Sequence, residues 1–405
     1  MTPDDFVYCL ILVASIPFGH LVKITNGPGN KRLLTSALGV LTILLTCRLH
    51  IFHSLITTLV SCLIIRIFGV RKCHTYNFIW CFGYLVFFRT CHYFGLPKPP
   101  AISNAVQLLL TLRMTGISFE LYDTNVADKK NPLSEEEVRL KKKYQDIDPS
   151  VLDIIHYAYC YVGLFTGPYY KYRTFYDMLH NDRCMKIDTK TPLINKCKPV
   201  PYIAICFLFF NFFFSIETDE FFEQPFWFRL FYMVPMFIIF RTRLYTAWLL
   251  SECICITSTL GAYPADSKPK CGQGPSDLKG LDERVSVTMA VSAFWHGIHP
   301  GYYLTFLLVP VILVAENGMI AAFRENKDEK QQKLFDWGCL FFKMRGFDYM
   351  CMGFLLLRLD ATLAYWSSIY FIGHIVTILF IIIGNICKPK KSKKVSGESN
   401  TKKQD

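Results

Sequence analysis

Trp295-His296-Gly297-Ile298-His299-Pro300-Gly301-Tyr302-Tyr303 lies between two apolar runs, Val285–Phe294 and Leu304–Val314. It sets two imidazoles at the junction of stretches that read as membrane helix. A histidine at such a depth costs free energy unless a partner satisfies it, so an intramembrane ionisable residue is a functional candidate by default. Imidazole is also the side chain best suited to take a proton near neutral pH. The stretch therefore predicts a membrane-embedded helical chain and, within it, a proton-handling site.

The rest of the sequence agrees. Its 405 residues are 52% hydrophobic, 16% aromatic and only 19% charged, with a mean hydropathy of +0.27. Soluble domains are about a quarter charged. Apolar runs near the length needed to span a bilayer fall at 6–22, 33–47, 51–70, 76–96, 101–118, 151–170, 200–216, 226–240, 244–262, 302–316 and 362–387. The expected fold is all-α, a polytopic membrane protein. The first run carries Asp4 and Asp5 where a cleaved signal would be basic, and no small-residue cleavage site follows, so it reads as a retained span. Sixteen cysteines are scattered through the runs without regular spacing, which suits small apolar fillers better than a disulfide framework. Cys253 and Cys255 have no histidines nearby to complete a zinc site.

The net charge of +12 is unevenly spread, and residues 388–405 hold seven lysines against Glu398 and Asp405. Polybasic segments beside a membrane favour the cytosolic face. Lys402-Lys403-Gln404-Asp405 also fits a dilysine retrieval signal of the endoplasmic reticulum, or simply a solvated lysine tail. A multi-pass protein of that membrane with a cytosolic C-terminus is expected. Aromatic residues do not interleave these lysines, so a nucleic-acid surface is not.

Three polar interruptions divide one membrane domain, residues 1–387, from within. Residues 121–149 carry seven acidic and six basic side chains, read as a solvated loop holding a short helix. Residues 177–199 form a second loop, and residues 263–284, rich in Gly, Pro and Lys, a third. Arg66, Arg89, Arg113, His53, His92, His156, Glu252, Asp360 and His374 punctuate the runs and should face a bundle interior or a wet cavity. Pro235 and Pro310 should bend their helices around it.

Three constellations could carry chemistry. His296 stands beside Trp295 and one turn before His299, in a setting that can desolvate and poise an imidazole; a hydrogen-bonded structural histidine is the alternative. A His-x-x-His metal pair lacks a third ligand. In the second, Tyr159 to Thr174, an aromatic run stops at Gly167-Pro168 and leaves through Tyr169, Tyr170, Lys171 and Arg173. It reads either as an interfacial aromatic belt or as a mouth where Lys171 and Arg173 meet a phosphate-bearing head group. In the third, Tyr245, Trp248 and Glu252 share a helix face, with Glu252 expected to pair with an arginine.

With these residues assembled, the sequence resembles the membrane-bound O-acyltransferases. DFVYCLILVASIPFG, SNAVQLLLTLR, YCYVGLFTGPYYKYRTFYD, RLFYMVPMFIIFRTRLYTAWLLSEC, GAYP, FWHGIHPGYYLTF, KMRGFDYMCMGF and YWSSIYF carry the likeness, which covers nearly the whole chain outside 121–149 and 263–284. The branch that acylates lysophosphatidylinositol is the most similar. The resemblance implies a multi-helix bundle enclosing a substrate tunnel, with acyl-CoA as co-substrate, no metal and no other cofactor, and a polyunsaturated chain such as arachidonoyl as the group transferred. His296 matches the family's catalytic histidine and would act as general base. Trp295, His299, Tyr169, Tyr170, Lys171 and Arg173 are the expected substrate-binding residues.

One departure stands out. The family carries a second catalytic residue, an asparagine after a tryptophan, in a stretch that precedes the histidine. The six tryptophans here are followed by Cys81, Phe228, Leu249, His296, Gly338 and Ser367. The segment that would hold the pair falls near 265–284, where only the short connector remains. The sequence therefore admits an acyltransferase, or a catalytically impaired isoform that binds lipid or a partner in the membrane. A transporter is disfavoured because no paired half-chains are visible.

Overall fold

The computed structural model describes residues 3–125, 135, 138, 139, 146–180, 187–214, 219–263, 282–325 and 327–387. Among them every regular element is helical: α1 (Pro3–Ile24), α2 (Pro28–Cys47), α3 (Ile51–Thr90), α4 (Ala101–Asn125), α5 (Val151–Ala158), α6 (Tyr172–His180), α7 (Lys190–Cys197), α8 (Val200–Phe213), α9 (Phe226–Thr257), α10 (Asp282–His296), α11 (Pro300–Phe323), α12 (Glu329–Leu356), α13 (Leu359–Ser368) and α14 (Ile372–Cys387). The chain is a polytopic all-α membrane protein. Helices long and apolar enough to cross a membrane lie at Phe6–Ile24, Pro28–Phe94, Lys190–Phe213, Phe226–Thr257 and Pro300–Phe323, with α13 and α14 forming a pair bent by 70°. The polybasic tail and most of the connectors at 126–145 and 264–281 lie outside the described residues.

Two compact units emerge, one of residues 1–215 and 238–279, the other of 216–237 and 280–405. In the first, α3 runs for 40 residues, about 60 Å at 1.5 Å per residue and twice a bilayer's hydrocarbon thickness. Gly69, at φ 60° and ψ 177°, breaks it into two segments that are each close to one span. The two apolar runs at 226–240 and 244–262 are one helix, α9, because Arg241 and Arg243 are good helix formers and nothing between the runs stops it.

The run at 151–170 is not a span. Its helix, α5, ends after eight residues at Ala158, and Tyr159–Lys171 continues as irregular backbone. Bare backbone of this kind is tolerated at membrane depth only when protein covers it and supplies partners. Here α4 supplies them. Arg113, only 2% exposed, donates to the carbonyls of Tyr157 (3.1 Å), Ala158 (2.9 Å), Cys160 (2.9 Å) and Val162, and to Tyr170 Oη (3.0 Å). The last carbonyls of a helix have no intrahelical donors and gather negative partial charge, and one guanidinium offers five N–H groups to them. Tyr8 Oη takes the Phe165 carbonyl at 3.2 Å and Ser251 Oγ that of Thr166 at 2.9 Å. The chain turns at Gly163 (φ 63°) and Gly167 (φ 132°), conformations that cost other residues about 1–2 kcal/mol.

Further expectations need revising. The segment 177–199 is largely helical rather than a plain loop, since α6 and α7 occupy most of what is described. Glu252 pairs with Lys196 at 2.5 Å, not with an arginine, and both side chains are nearly half exposed. Arg66 and Asp360 are exposed rather than interior. Asp360 instead sits in the first turn of α13 and pairs with Arg358, where a carboxylate favours the helix N-terminus.

Candidate active site

The second unit builds the histidine site on three consecutive helices. His296 ends α10, where the N–H of Gly297 closes the last turn on Ala293 O at 3.0 Å. The chain then bends, and His299 serves as the N-cap of α11 with Pro300 in its first turn. Proline suits that position because the missing N–H would have no partner there. α12 packs alongside α11, and Thr305 Oγ1 donates to Met350 O at 2.9 Å.

At the junction the imidazole of His296 is half-buried within aromatic rings. Its centroid lies 4.8 Å from Trp295 (planes at 78°), 5.0 Å from Phe306 (25°), 5.2 Å from Phe354 (79°) and 5.9 Å from Tyr302. Phe306 and Phe354 come from α11 and α12, so the ring is held from three helices. Such walls fix the imidazole plane and keep water from one side of it. Edge-on rings also favour their partner over plain apolar contact by about 0.5–1.5 kcal/mol each.

Backbone contacts lock the position of Tyr302. Gly301 N–H donates to Leu357 O at 2.8 Å. A side chain at 301 would overlap the Gly353 carbonyl and the Leu357 backbone, so α11 and the end of α12 approach as closely as only glycine permits. Leu357 itself has φ 61°, a strained conformation for a branched residue that aims its carbonyl at this amide.

The sequence-predicted residues divide. Trp295 and His296 sit together in the second unit, whereas His299 is exposed at the N-cap. In the first unit, Tyr170 is buried, accepts from Arg113 and donates to Val162 O at 2.9 Å. Arg173 is also engaged by the fold: its Nε binds Asp177 Oδ1 at 3.0 Å and its Nη1 binds Asp146 O at 3.1 Å. Its amide and that of Tyr172 donate to Glu120 at 3.0 and 2.9 Å. Lys171 is exposed and remains the member of that group most available to a ligand, whereas Tyr169, though partly exposed, packs its hydroxyl end against Gly116 of α4. Sequence reasoning missed Phe306 and Phe354 as site residues. They lie 10 and 58 positions beyond His296, and nothing in their spacing marks two phenylalanines among 35.

The stretch that builds this site also carries a family signature. The sequence model of MBOAT, the membrane-bound O-acyltransferase family, matches residues 283–356, from the start of α10 to the end of α12. The membrane-bound acylglycerophosphatidylinositol O-acyltransferase mboat7 of Xenopus laevis is 38% identical, with 98% of this chain and 98% of the relative covered. The chain belongs to the membrane-bound O-acyltransferase family. The human relative of the same name, MBOAT7, is 36% identical over 95% of this chain and 94% of its own length. A third O-acyltransferase, frj of Drosophila melanogaster, is 28% identical over 93% and 91%. As a membrane-bound O-acyltransferase, the chain departs from the frog relative in one respect. Their alignment runs over 469 positions, more than the 405 residues present here. Dozens of positions in it therefore have no residue in this chain.

Proposed function

We propose that this chain is an acyl-CoA-dependent lysophospholipid acyltransferase acting on the free glycerol hydroxyl of lysophosphatidylinositol, with His296 as its general base. The observation that carries the reading is the imidazole at the end of α10, gripped by Trp295, Phe306 and Phe354 inside the family-matched stretch. The names of the relatives supply the head group, and the resemblance supplies acyl-CoA, a polyunsaturated chain such as arachidonoyl and the tunnel in which the two substrates meet.

In the proposed reaction His296 removes the proton from the glycerol hydroxyl as that oxygen attacks the thioester carbonyl. The tetrahedral oxyanion collapses, the C–S bond breaks, and the imidazolium returns the proton to the departing CoA thiolate. A new ester and free CoA result, with no redox change and no metal or further cofactor required. Lys171, exposed in the first unit, offers an ammonium to a phosphate-bearing head group. Multi-pass residence in the endoplasmic reticulum with a cytosolic C-terminus belongs to the same proposal.

A specific observation keeps a second reading in play. The Trp-Asn pair is absent, and the relatives carry positions with no counterpart here. Loss of one oriented amide donor to a developing oxyanion costs about 100- to 1,000-fold in rate. Such a chain would be a weak enzyme or a lipid-binding isoform. Acyl transfer in microsomes separates the two, using arachidonoyl-CoA and lysophosphatidylinositol and comparing this chain with His296→Ala at equal abundance. Transfer by the parent chain alone supports the enzyme; equal background from both sinks it in favour of the silent isoform.

A further inference from the structure

Away from His296, the second unit holds a cavity of about 710 Å³ between the start of α9 and helices α11, α12 and α14. That is within the roughly 300–1,000 Å³ of ordinary ligand sites. Its walls are largely aromatic and aliphatic, with Phe231, Phe335, Phe342 and Phe380 among them. Phe231 and Phe342 are exposed at its rim, which opens it to the medium around the helices. Walls of this kind offer water few partners, so hydrocarbon is the filling they favour.

The cavity also has a charged side with a consistent orientation. Lys343 Nζ lies 2.6 Å from Glu316, with the cation 42% and the carboxylate 16% exposed. Arg345 Nε lies 2.7 Å from Asp348, at 37% and 1%. Asp348 is buried and Glu316 largely so, whereas both cations are partly exposed. The Arg345 guanidinium lies over the Phe341 ring, and each cation has more N–H groups than its one carboxylate partner occupies. All of Glu316, Lys343 and Arg345 line the cavity. None of Trp295, Tyr302, Phe306 and Phe354 does. Glu316 is ten residues from Phe306 along α11 and Lys343 eleven from Phe354 along α12, about 15 and 16 Å at 1.5 Å per residue.

We propose that this cavity is a second lipid site, separate from the histidine site, which takes the hydrocarbon tail of a single-chain lipid and holds its anionic head on Lys343 and Arg345. The head is a carboxylate or a phosphate, since both present oxygens that an ammonium and a guanidinium bind well. This site does not depend on the reaction proposed above, and its test uses no acyl transfer.

Gly338 offers a clean probe. It lines the cavity, and a Cβ added there meets no atom within 4 Å, so Gly338→Leu can place apolar volume at the cavity wall with no clash at its first carbon. The full chain in detergent micelles would be irradiated with hexadecanoic acid carrying a diazirine on its tail, and separately with the corresponding alcohol. The labelled residues are then mapped. The acid is expected to label α9, α11, α12 and α14 at the cavity, with the alcohol weaker by about tenfold, the factor that 1.4 kcal/mol carries. Gly338→Leu should remove most of that labelling with its melting temperature maintained. Lys343→Met with Arg345→Met should bring acid and alcohol to the same level. Competition by lysophosphatidate over oleate assigns a phosphate head, and the reverse a free fatty acid. Labelling elsewhere, equal labelling of the parent chain by acid and alcohol, competition by neither lipid, or undiminished labelling of Gly338→Leu would overturn the proposal.

Discussion

Arg113 on α4 binds the backbone carbonyl of Cys160 at 2.9 Å across 47 residues of sequence. The contact belongs to a fan of hydrogen bonds through which one buried guanidinium shapes the non-helical stretch Tyr159–Lys171. Glu120, two turns along the same helix, accepts the first amides of α6. α4 thus fixes both ends of the segment that presents Tyr169 and Lys171.

Arg113→Met should therefore be among the most damaging single changes in the first unit. It strands several buried carbonyls, each costing about 1–3 kcal/mol when left without a donor. We expect a loss of at least about 3 kcal/mol, read as a large drop in the melting temperature of the purified chain in detergent. Arg113→Lys, which keeps the charge but not the planar fork, should recover only part of it. A melting temperature unchanged by either substitution would show that the fan contributes nothing.

The rings around His296 make a kinetic prediction. Phe354→Leu keeps most of the apolar volume but removes the edge-on contact to the imidazole. It should lower kcat by about tenfold, as loose positioning of a reacting group does, with KM little changed and the melting temperature within a few degrees of the parent. Phe306→Leu, which removes the ring lying nearly parallel to the imidazole, should act in the same direction. An effect confined to KM would place these rings in substrate binding rather than in holding the histidine.

A pH dependence follows from the turn between α11 and α12. Arg324 donates to Asp336 through Nε at 2.7 Å and Nη2 at 3.1 Å, and this hydrogen bonding holds the carboxyl below its usual range. A carboxyl depressed in the folded state adds stability above its unfolded pKa of about 4 and loses it as pH falls through the folded value. The parent chain should lose melting temperature on acidification below about pH 4 by slightly more than Asp336→Asn. The difference is small because the pair is exposed and screened. Parallel profiles for the two chains would refute the linkage.

The histidine at the helix junction was legible in the sequence, for a physical reason. His296 stood out because an ionisable group between two apolar runs carries a solvation cost that demands a purpose, and the structure places it at a helix end among aromatic rings. The run at 151–170 misled for the complementary reason. Its composition satisfies a span, yet hydropathy does not record where backbone carbonyls find donors. Arg113, 44 positions before Tyr157, is what allows that backbone to leave the helix. Lys171 and Arg173 looked alike in sequence, but only the fold shows that Arg173 is spoken for by Asp177 and the Asp146 carbonyl while Lys171 is exposed.

The sequence by itself determined a helical membrane chain of the O-acyltransferase family with its histidine at a helix junction. Those properties rest on composition, local periodicity and a contiguous motif. Tertiary structure alone decided which rings surround that histidine, which cations are already paired, and that the second unit contains a charged-rimmed apolar cavity. Each of these depends on residues distant in the chain meeting across packed helices, and pairing of that kind leaves no trace in local order.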